Sequence, residues 1–555
     1  MADVALLLLP LAALAIVALA GVGIVGALAP GLPRDAQAAL APLAGAGTLA
    51  AASTLLPLGV STKLLAVLVL TAGIALGVPF LRTLRAASIP LLLAAGAVAL
   101  AGGPAVARGS WEATSLYGST DAYHWVSQGR AYLEGPAPEP VEAHPDRLTY
   151  ERSRDQHWAV AVPFGVAQVA WLSGEDPVDA YGALGAMLFA LLPLATYAAA
   201  RAVLDWRPWP AAAAGAAIAL NASLLFASHF SWQQQLAGTA LAFAAAVLLR
   251  LGVEPEAPRR TLVLAALLAA GALATYRLGF APFLGALLVA VFAAYWWRNR
   301  EALGRGALFL AASLVLAAPS LVALARGLPE FVDSGGFSTA FKEHFPHGQP
   351  AEALGLVPRV WALEEGWSGV LRTGWLVVAS ALGLVLLVSG VRLARRAPRA
   401  DFLLAGGALV LGGWLVLLLP RFAPYLSYKL LAYGAPFLAL LVLTPLAHRR
   451  RPAVTAAAAV LLGASAVVAT VSAREARRAP DMTVGRLPAD AVVEIATDDP
   501  WEQAWAIYAL RDVRISVERP TYLLTAQGRE REAAAYRHRP VSHVLLGVRV
   551  VPAPS

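Results

Sequence analysis

The feature that most constrains this chain is a series of fourteen long apolar runs. They fall at about residues 4 to 29, 38 to 60, 63 to 81, 88 to 107, 177 to 203, 209 to 227, 233 to 251, 261 to 276, 280 to 297, 307 to 325, 371 to 391, 402 to 420, 428 to 447 and 453 to 471. A bilayer core about 30 Å thick is crossed by roughly 20 apolar residues in a helix. Inside lipid the backbone must satisfy its own hydrogen bonds, so an open chain crosses as helices. The expected fold is therefore a polytopic α-helical membrane protein with about fourteen transmembrane helices. Composition agrees, since only 14% of the 555 residues are charged, against about a quarter in soluble domains.

Cysteine is absent, which excludes disulfides and thiolate metal sites. The formal charge of +8 does not point to nucleic acid, because the arginines sit in short loops between apolar runs rather than in one stripe. Topology explains them better. The first run has no basic segment before it and exceeds the core of a signal peptide, so a retained helix is expected.

Of the short loops, one alternating set carries Arg34; Arg82 and Arg85; Arg201 and Arg207; Arg250, Arg259 and Arg260; Arg298, Arg300 and Arg305; Arg392, Arg395, Arg396 and Arg399; and Arg449 to Arg451, while the other has just Lys63, Arg277, Arg421 and Lys429. By the positive-inside rule the first set faces the cytoplasm. The polar segments 108 to 176 and 326 to 370, and the tail after 472, then lie together outside. Segment 158 to 172 is only about fifteen residues long, and counting it as a span would invert every later loop, so it reads as an interfacial helix. From about residue 480 alternating strands and one amphipathic helix, with Trp501, Trp505 and Tyr508 at spacings of four and three on one stripe expected to be buried, predict a small α/β module. Three parts result: extra N-terminal helices over 1–87, a membrane domain over 88–471, and an extracytoplasmic module over 480–555.

Candidate chemistry gathers in the outer segments. YGSTDAYHWVSQGRAYLEG, residues 117 to 135, places Asp121 where a helix begins and Gly135 where it stops. Asp121 there is either a cap or a general base for an incoming hydroxyl. Tyr117, Tyr123, Trp125 and Tyr132 offer faces for stacking on a sugar or for the membrane interface. Asp155 and His157 lie on the same outer segment, and with Asp121 they form the one set suited to a divalent cation. Farther on, Arg277, Arg421 and Lys429 fall at the outer ends of apolar runs, and only three of the 43 basic residues are lysines. Cations at such depth either snorkel to head groups or hold an anionic ligand. His344 and His347 flank Pro346, which breaks any helix that would align them, so their loop reads as a lid rather than a metal site.

TDAYHWVSQGRAYLEG, VPFGVAQVAWLSG, the helix ending AARAVLDWR and the segment SYKLLAYGAP stand in an order similar to that of the GT-C superfamily of polyprenyl-phosphate-dependent membrane glycosyltransferases. That resemblance, over about residues 88 to 555, implies a GT-C-like membrane domain and a bacterial cytoplasmic-membrane location with the C-terminal module outside. It implies transfer of a sugar from a polyprenyl-phosphate donor to a lipid, glycan or protein acceptor, with Asp121 matching the family's catalytic acid. Asp155, His157, Arg277, Arg421, Lys429 and Tyr123 are the expected substrate-binding residues. Two departures stand out: Ala122 follows Asp121 where the family often pairs acids, and three helices precede the usual first one. A transporter or lipid flippase is the alternative, but it would place polar residues near the bilayer midplane in repeated halves. A noncatalytic assembly protein displaying the C-terminal module is the third.

Overall fold

The computed structural model describes residues 4–111, 120–135, 159–230, 232–277, 280–333, 347–358, 369–419, 422, 424–448, 452–475, 487–488, 490–497, 499–517, 541–546 and 549–552. In chain order the first helices are α1 (Leu8–Leu28), α2 (Arg34–Ser53), α3 (Thr62–Gly77), α4 (Ser88–Arg108), α5 (Thr120–Glu134), α6 (Ala161–Ser173), α7 (Pro177–Ala202), α8 (Pro208–Ala219), α9 (Ala222–His229) and α10 (Gln233–Gly252). Then follow α11 (Arg260–Thr275), α12 (Ala281–Trp296), α13 (Leu303–Asp333), α14 (Pro350–Ala353), α15 (Gly369–Ala394), α16 (Asp401–Leu417), α17 (Pro424–His448) and α18 (Pro452–Glu475). The C-terminal part is β1 (Val492–Ile495), α19 (Pro500–Ala509), β2 (Arg514–Ser516), β3 (His543–Leu546) and β4 (Arg549–Pro552).

All fourteen apolar runs are helical, and the chain is a multi-pass membrane protein. Among the described residues nine helices are long and apolar enough to cross a membrane, and α8 with α9 makes a tenth span bent by 49°. The remaining runs are α11, α12 and α16, at 16, 16 and 17 residues, and α2, which opens on Arg34 and Asp35. At 1.5 Å per residue the three shorter helices reach about 25 Å, less than a hydrocarbon core.

The bend before α9 has a local cause. Asn221 turns its side chain back to accept from the backbone N–H groups of Ser223 (3.0 Å) and Leu224 (3.2 Å), starting a new helix. Its Nδ2 donates to the carbonyl of Ala353 at 2.7 Å, so the same buried side chain also pins α14.

At the centre, α7 and α10 are buried along their whole apolar length. Small residues permit this density, because close backbone approach supplies the packing that water would otherwise drive. Gly21 and Gly45 set the α1–α2 contact: a Cβ on Gly21 would sit 1.8 Å from the Ala41 carbonyl oxygen, and one on Gly45 would sit 2.0 Å from that of Val17.

The arginine-rich loops converge on one end of the bundle. Arg201 meets Asp35 at 2.5 Å, Arg250 meets Asp401 at 2.6 Å, and Arg399 meets Glu254 at 2.7 Å. Arg305 donates to the carbonyls of Gly252 and Ala257, and Thr261 reaches the Leu28 carbonyl at 3.2 Å, which joins the groups.

In the C-terminal part the strand order is β2-β1-β3-β4, with β1 parallel to β2 and β3, and β4 antiparallel to β3. Parallel neighbours need a crossover, which α19 supplies between β1 and β2. Val493 pairs with Ile515 on one side and His543 on the other. Helix α19 has two buried faces. Ala506, Ile507 and Leu510 close the sheet's own core, while Trp505 and Tyr508 join the core of the membrane part.

Candidate functional site

Helix α5 begins at Thr120, so Asp121 lies in its first turn rather than at the cap. An acidic residue there is favoured by the helix dipole. The helix stops at Gly135, whose φ of 90° suits glycine. From Ala122 through Ala131 the helix is buried throughout, unlike a helix lying on an open surface. Gly129 lets it close on α6: a Cβ there would lie 2.5 Å from the Val166 side chain. Helix α6 is itself packed against α5, α7, α2 and α3, so the segment expected at the interface is enclosed by protein on several sides.

The C-terminal module clasps α5 from the other side. Tyr123, 2% exposed, meets the Trp505 ring edge-on with centroids 6.1 Å apart. Arg130 pairs with Glu134 at 2.9 Å and with Asp512 of the module at 2.7 Å. Asp176, which caps α7 through the Val178 N–H, also accepts from the Tyr508 hydroxyl at 2.7 Å and from Arg511 at 2.6 Å. Burial raises the Tyr508 hydroxyl well above its ordinary pKa, and the Asp176 carboxylate adds to that rise.

A second feature is built around Lys429, in the second turn of α17. It does not snorkel: it is only 7% exposed. Its Nζ donates to the Tyr276 hydroxyl, and it lies 4.6, 5.0 and 5.6 Å from the ring centres of Tyr425, Tyr276 and Trp232. An ammonium ringed by aromatic faces is held by their quadrupoles. Three elements contribute the enclosure: α17, the turn after α11, and the residue before α10.

The first turn of α10 connects the two features. Trp232 faces Lys429, and Gln234 accepts from the Trp125 indole of α5 at 3.2 Å. Gln233, Gln234 and Gln235 are all buried. Neither end of the Gln235 amide, nor Oε1 of Gln233, nor Thr239 Oγ1 has a hydrogen-bond partner among the described residues. Leaving such groups unpaired costs about 1–3 kcal/mol each, so they are unmet polar capacity at the start of α10.

Arg277 sits in the turn between α11 and α12, only 4% exposed. Burial pushes its guanidinium down to about 10, with Tyr132 of α5 acting in the opposite sense, so it stays charged at neutral pH. Two residues earlier, Thr275 lines an apolar cavity of about 100 Å³ with Ile16, Leu49, Phe164, Leu184 and Leu241.

The end of the second outer segment lies against the start of α17. Gly348 donates its N–H to Ser427 Oγ at 2.9 Å and accepts from the Trp414 indole at 2.8 Å, while His347 Nδ1 is 3.4 Å from Ser427 Oγ. Ser427 precedes Lys429 by two residues, so this strap ends beside the lysine.

The expected residues are thus placed unevenly. Lys429, Arg277 and Tyr123 are buried at one end of the bundle, around or next to α5. Asp155, His157, Arg421 and His344 lie outside the described residues, as does the Asp121 side chain. No group of three or more metal-ligating side chains occurs among the described residues. Sequence reasoning passed over Trp232, Gln233 to Gln235 and Asp176. The available signal was three consecutive glutamines opening an otherwise apolar run.

No family model and no curated protein matches the chain. Solved structures similar to it include the following two. One is ArnT from Cupriavidus metallidurans in the apo state: 14% identity, 78% of this chain, 88% of that chain, TM-score 0.48. The other is the Archaeoglobus fulgidus oligosaccharyltransferase in the apo form: 12% identity, 82% of this chain, 69% of that chain, TM-score 0.45. Likenesses this distant transfer no residue role, and the chemistry rests on this chain's own side chains.

Proposed function

We propose that the chain is a membrane glycosyltransferase of the GT-C type that moves a sugar from a polyprenyl-phosphate donor to an extracytoplasmic lipid, glycan or protein acceptor. The observation that carries this reading is Lys429: a buried ammonium, enclosed by rings and one phenol, next to a row of buried glutamines. A cation fixed at this depth marks a place where an anionic ligand is recognised, and a lipid phosphate is an anion of that kind. Arg277, and Arg421 eight residues before Lys429 in sequence, would share that phosphate. The apolar cavity beginning at Thr275 is suited to a hydrocarbon chain, which such a donor carries.

In this reading Asp121 is the general base that takes the proton from the acceptor hydroxyl as the glycosidic bond to phosphate breaks. Charge growing on the departing phosphate is stabilised by Lys429 and Arg277, cations already desolvated and fixed before reaction. Gln233 and Gln235 offer amides to sugar hydroxyls. The distribution of arginines supports a cytoplasmic placement of the opposite end and an outer placement of α5 and the module, in a bacterial inner membrane. Any divalent cation would be held by Asp121, Asp155 and His157. The test is transfer of radiolabel from polyprenyl-phosphate sugars in membranes containing the chain: product that depends on Asp121 and Lys429 supports the reading, and product indifferent to both overturns it.

A further inference from the structure

At the opposite end of the bundle from α5, three guanidinium groups line one open recess of about 410 Å³: Arg34, Arg82 and Arg85, with Ala86. Arg34 opens α2 immediately after the turn that follows α1. Arg82 and Arg85 lie on a 3₁₀ segment, Val78–Ala86, that joins α3 to α4. In a 3₁₀ helix residues three apart eclipse, so the two arginines stand one above the other. The recess is built rather than incidental. Gln37 ties down the turn before Arg34 by donating to the carbonyls of Leu32 (3.0 Å) and Pro30 (3.1 Å). Phe80 seats the 3₁₀ segment on α1, where a Cβ on Gly26 would come within 2.3 Å of its ring.

Among the described residues no carboxylate pairs with these cations, and Asp35, the nearest acid in sequence, turns inward to Arg201 (2.5 Å) and the Tyr197 hydroxyl (2.7 Å). The same 3₁₀ segment exposes Val78 (61%) and Leu81 (44%). It ends the candidate span Thr62–Ala86, and the next begins at Ser88, which puts Arg82 and Arg85 at the membrane boundary. Guanidinium groups beside exposed aliphatic side chains at that level match a ligand with phosphate oxygens above hydrocarbon.

We propose that Arg34, Arg82 and Arg85 form a binding site for the phosphate headgroup of an anionic bilayer phospholipid. Their planar forks can each give two hydrogen bonds to phosphate oxygens, while Val78 and Leu81 touch the upper part of an acyl chain. The site gives the three N-terminal helices a ligand of their own, and it is independent of the sugar-transfer reading.

Native mass spectrometry of the full chain, delipidated in detergent and titrated separately with phosphatidylglycerol, phosphatidylcholine of the same chains, and inorganic phosphate, tests it. Tight retention of one phosphatidylglycerol is expected. Arg82→Ala with Arg85→Ala should weaken it about thirty-fold, and Arg34→Ala alone about five-fold, the scale of one surface cation per arginine. Arg392→Ala with Arg395→Ala, removing charge from another loop at the same end, should leave it unchanged. Equal retention of phosphatidylcholine overturns the proposal, as does undiminished binding by the variants or an equal loss in the Arg392 and Arg395 control. Inorganic phosphate binding as tightly as the lipid would make this a free-anion site and overturn it too.

Discussion

Replacing Trp505 with alanine should release the C-terminal module from α5 without unfolding the module. Trp505 is 4% exposed, meets Tyr123 edge-on at 6.1 Å and Tyr508 at 6.3 Å, and belongs to the membrane-side core. Truncating a buried tryptophan costs about 3–5 kcal/mol. The lower end applies, because the hole opens at an interface and Trp505 Nε1 has no acceptor to lose among the described residues. A loss of about 3 kcal/mol multiplies the undocked population by more than a hundred. Hydrogen exchange reads it directly: amides of α5 should exchange faster in Trp505→Ala, while β1 and β2 keep their protection. Ile507→Ala should do the reverse in part, since Ile507 faces the sheet and its loss opens the module's own core. If α5 keeps its protection in Trp505→Ala, or the sheet loses its protection together with α5, the two-faced account of α19 fails.

Three further outcomes follow. Lys429→Ala should raise the donor concentration needed for half-maximal transfer by about 10- to 100-fold, the scale of a charge-assisted hydrogen bond, with Lys429→Arg recovering part of it; an unchanged donor dependence leaves Lys429 without a phosphate. Asn221→Ala removes a helix cap and the donor to Ala353, so it should cost about 2 kcal/mol and lower the melting temperature; a wild-type melting curve refutes the double role. The raised Tyr508 pKa favours its protonated form in the docked state, so that stabilisation is complete below pH 10 and is lost as pH rises above it. Proteolytic release of the module should therefore climb above pH 10 in the wild type and show no such step in Tyr508→Phe, where an identical step would assign it elsewhere.

Much of the membrane part was legible because apolar length is a strong signal: each of the fourteen runs is a helix. The bend at Asn221 was missed because one asparagine in an alanine-rich run barely lowers its hydropathy, although it is a good cap. Helix α13 runs to Asp333, beyond the expected end of its apolar run at 325, since helical hydrogen bonding does not stop where hydrophobicity does. In the module, the spacing of Trp505 and Tyr508 gave the stripe but not its partner. It reads the same whether it faces its own sheet or Tyr123 and Asp176. At the site, Lys429 was conspicuous as a rare lysine in an apolar run. Its enclosure was not, because Trp232 and Tyr276 lie about 200 and 150 residues away in sequence and only the packing of α10, α11 and α17 unites them.

The most direct test of sugar transfer compares membranes containing wild-type chain with membranes containing Asp121→Asn, each supplied with radiolabelled polyprenyl-phosphate sugars. Asparagine keeps the size of the side chain and its place in the first turn of α5 but cannot take a proton as a carboxylate does. The expected result is labelled acceptor in the wild type and at least a hundred-fold less in Asp121→Asn at equal protein level, the scale of a lost general base. Equal labelling by the two would contradict the assignment of Asp121 as the base, and no labelling by the wild type with any donor would contradict the transfer itself.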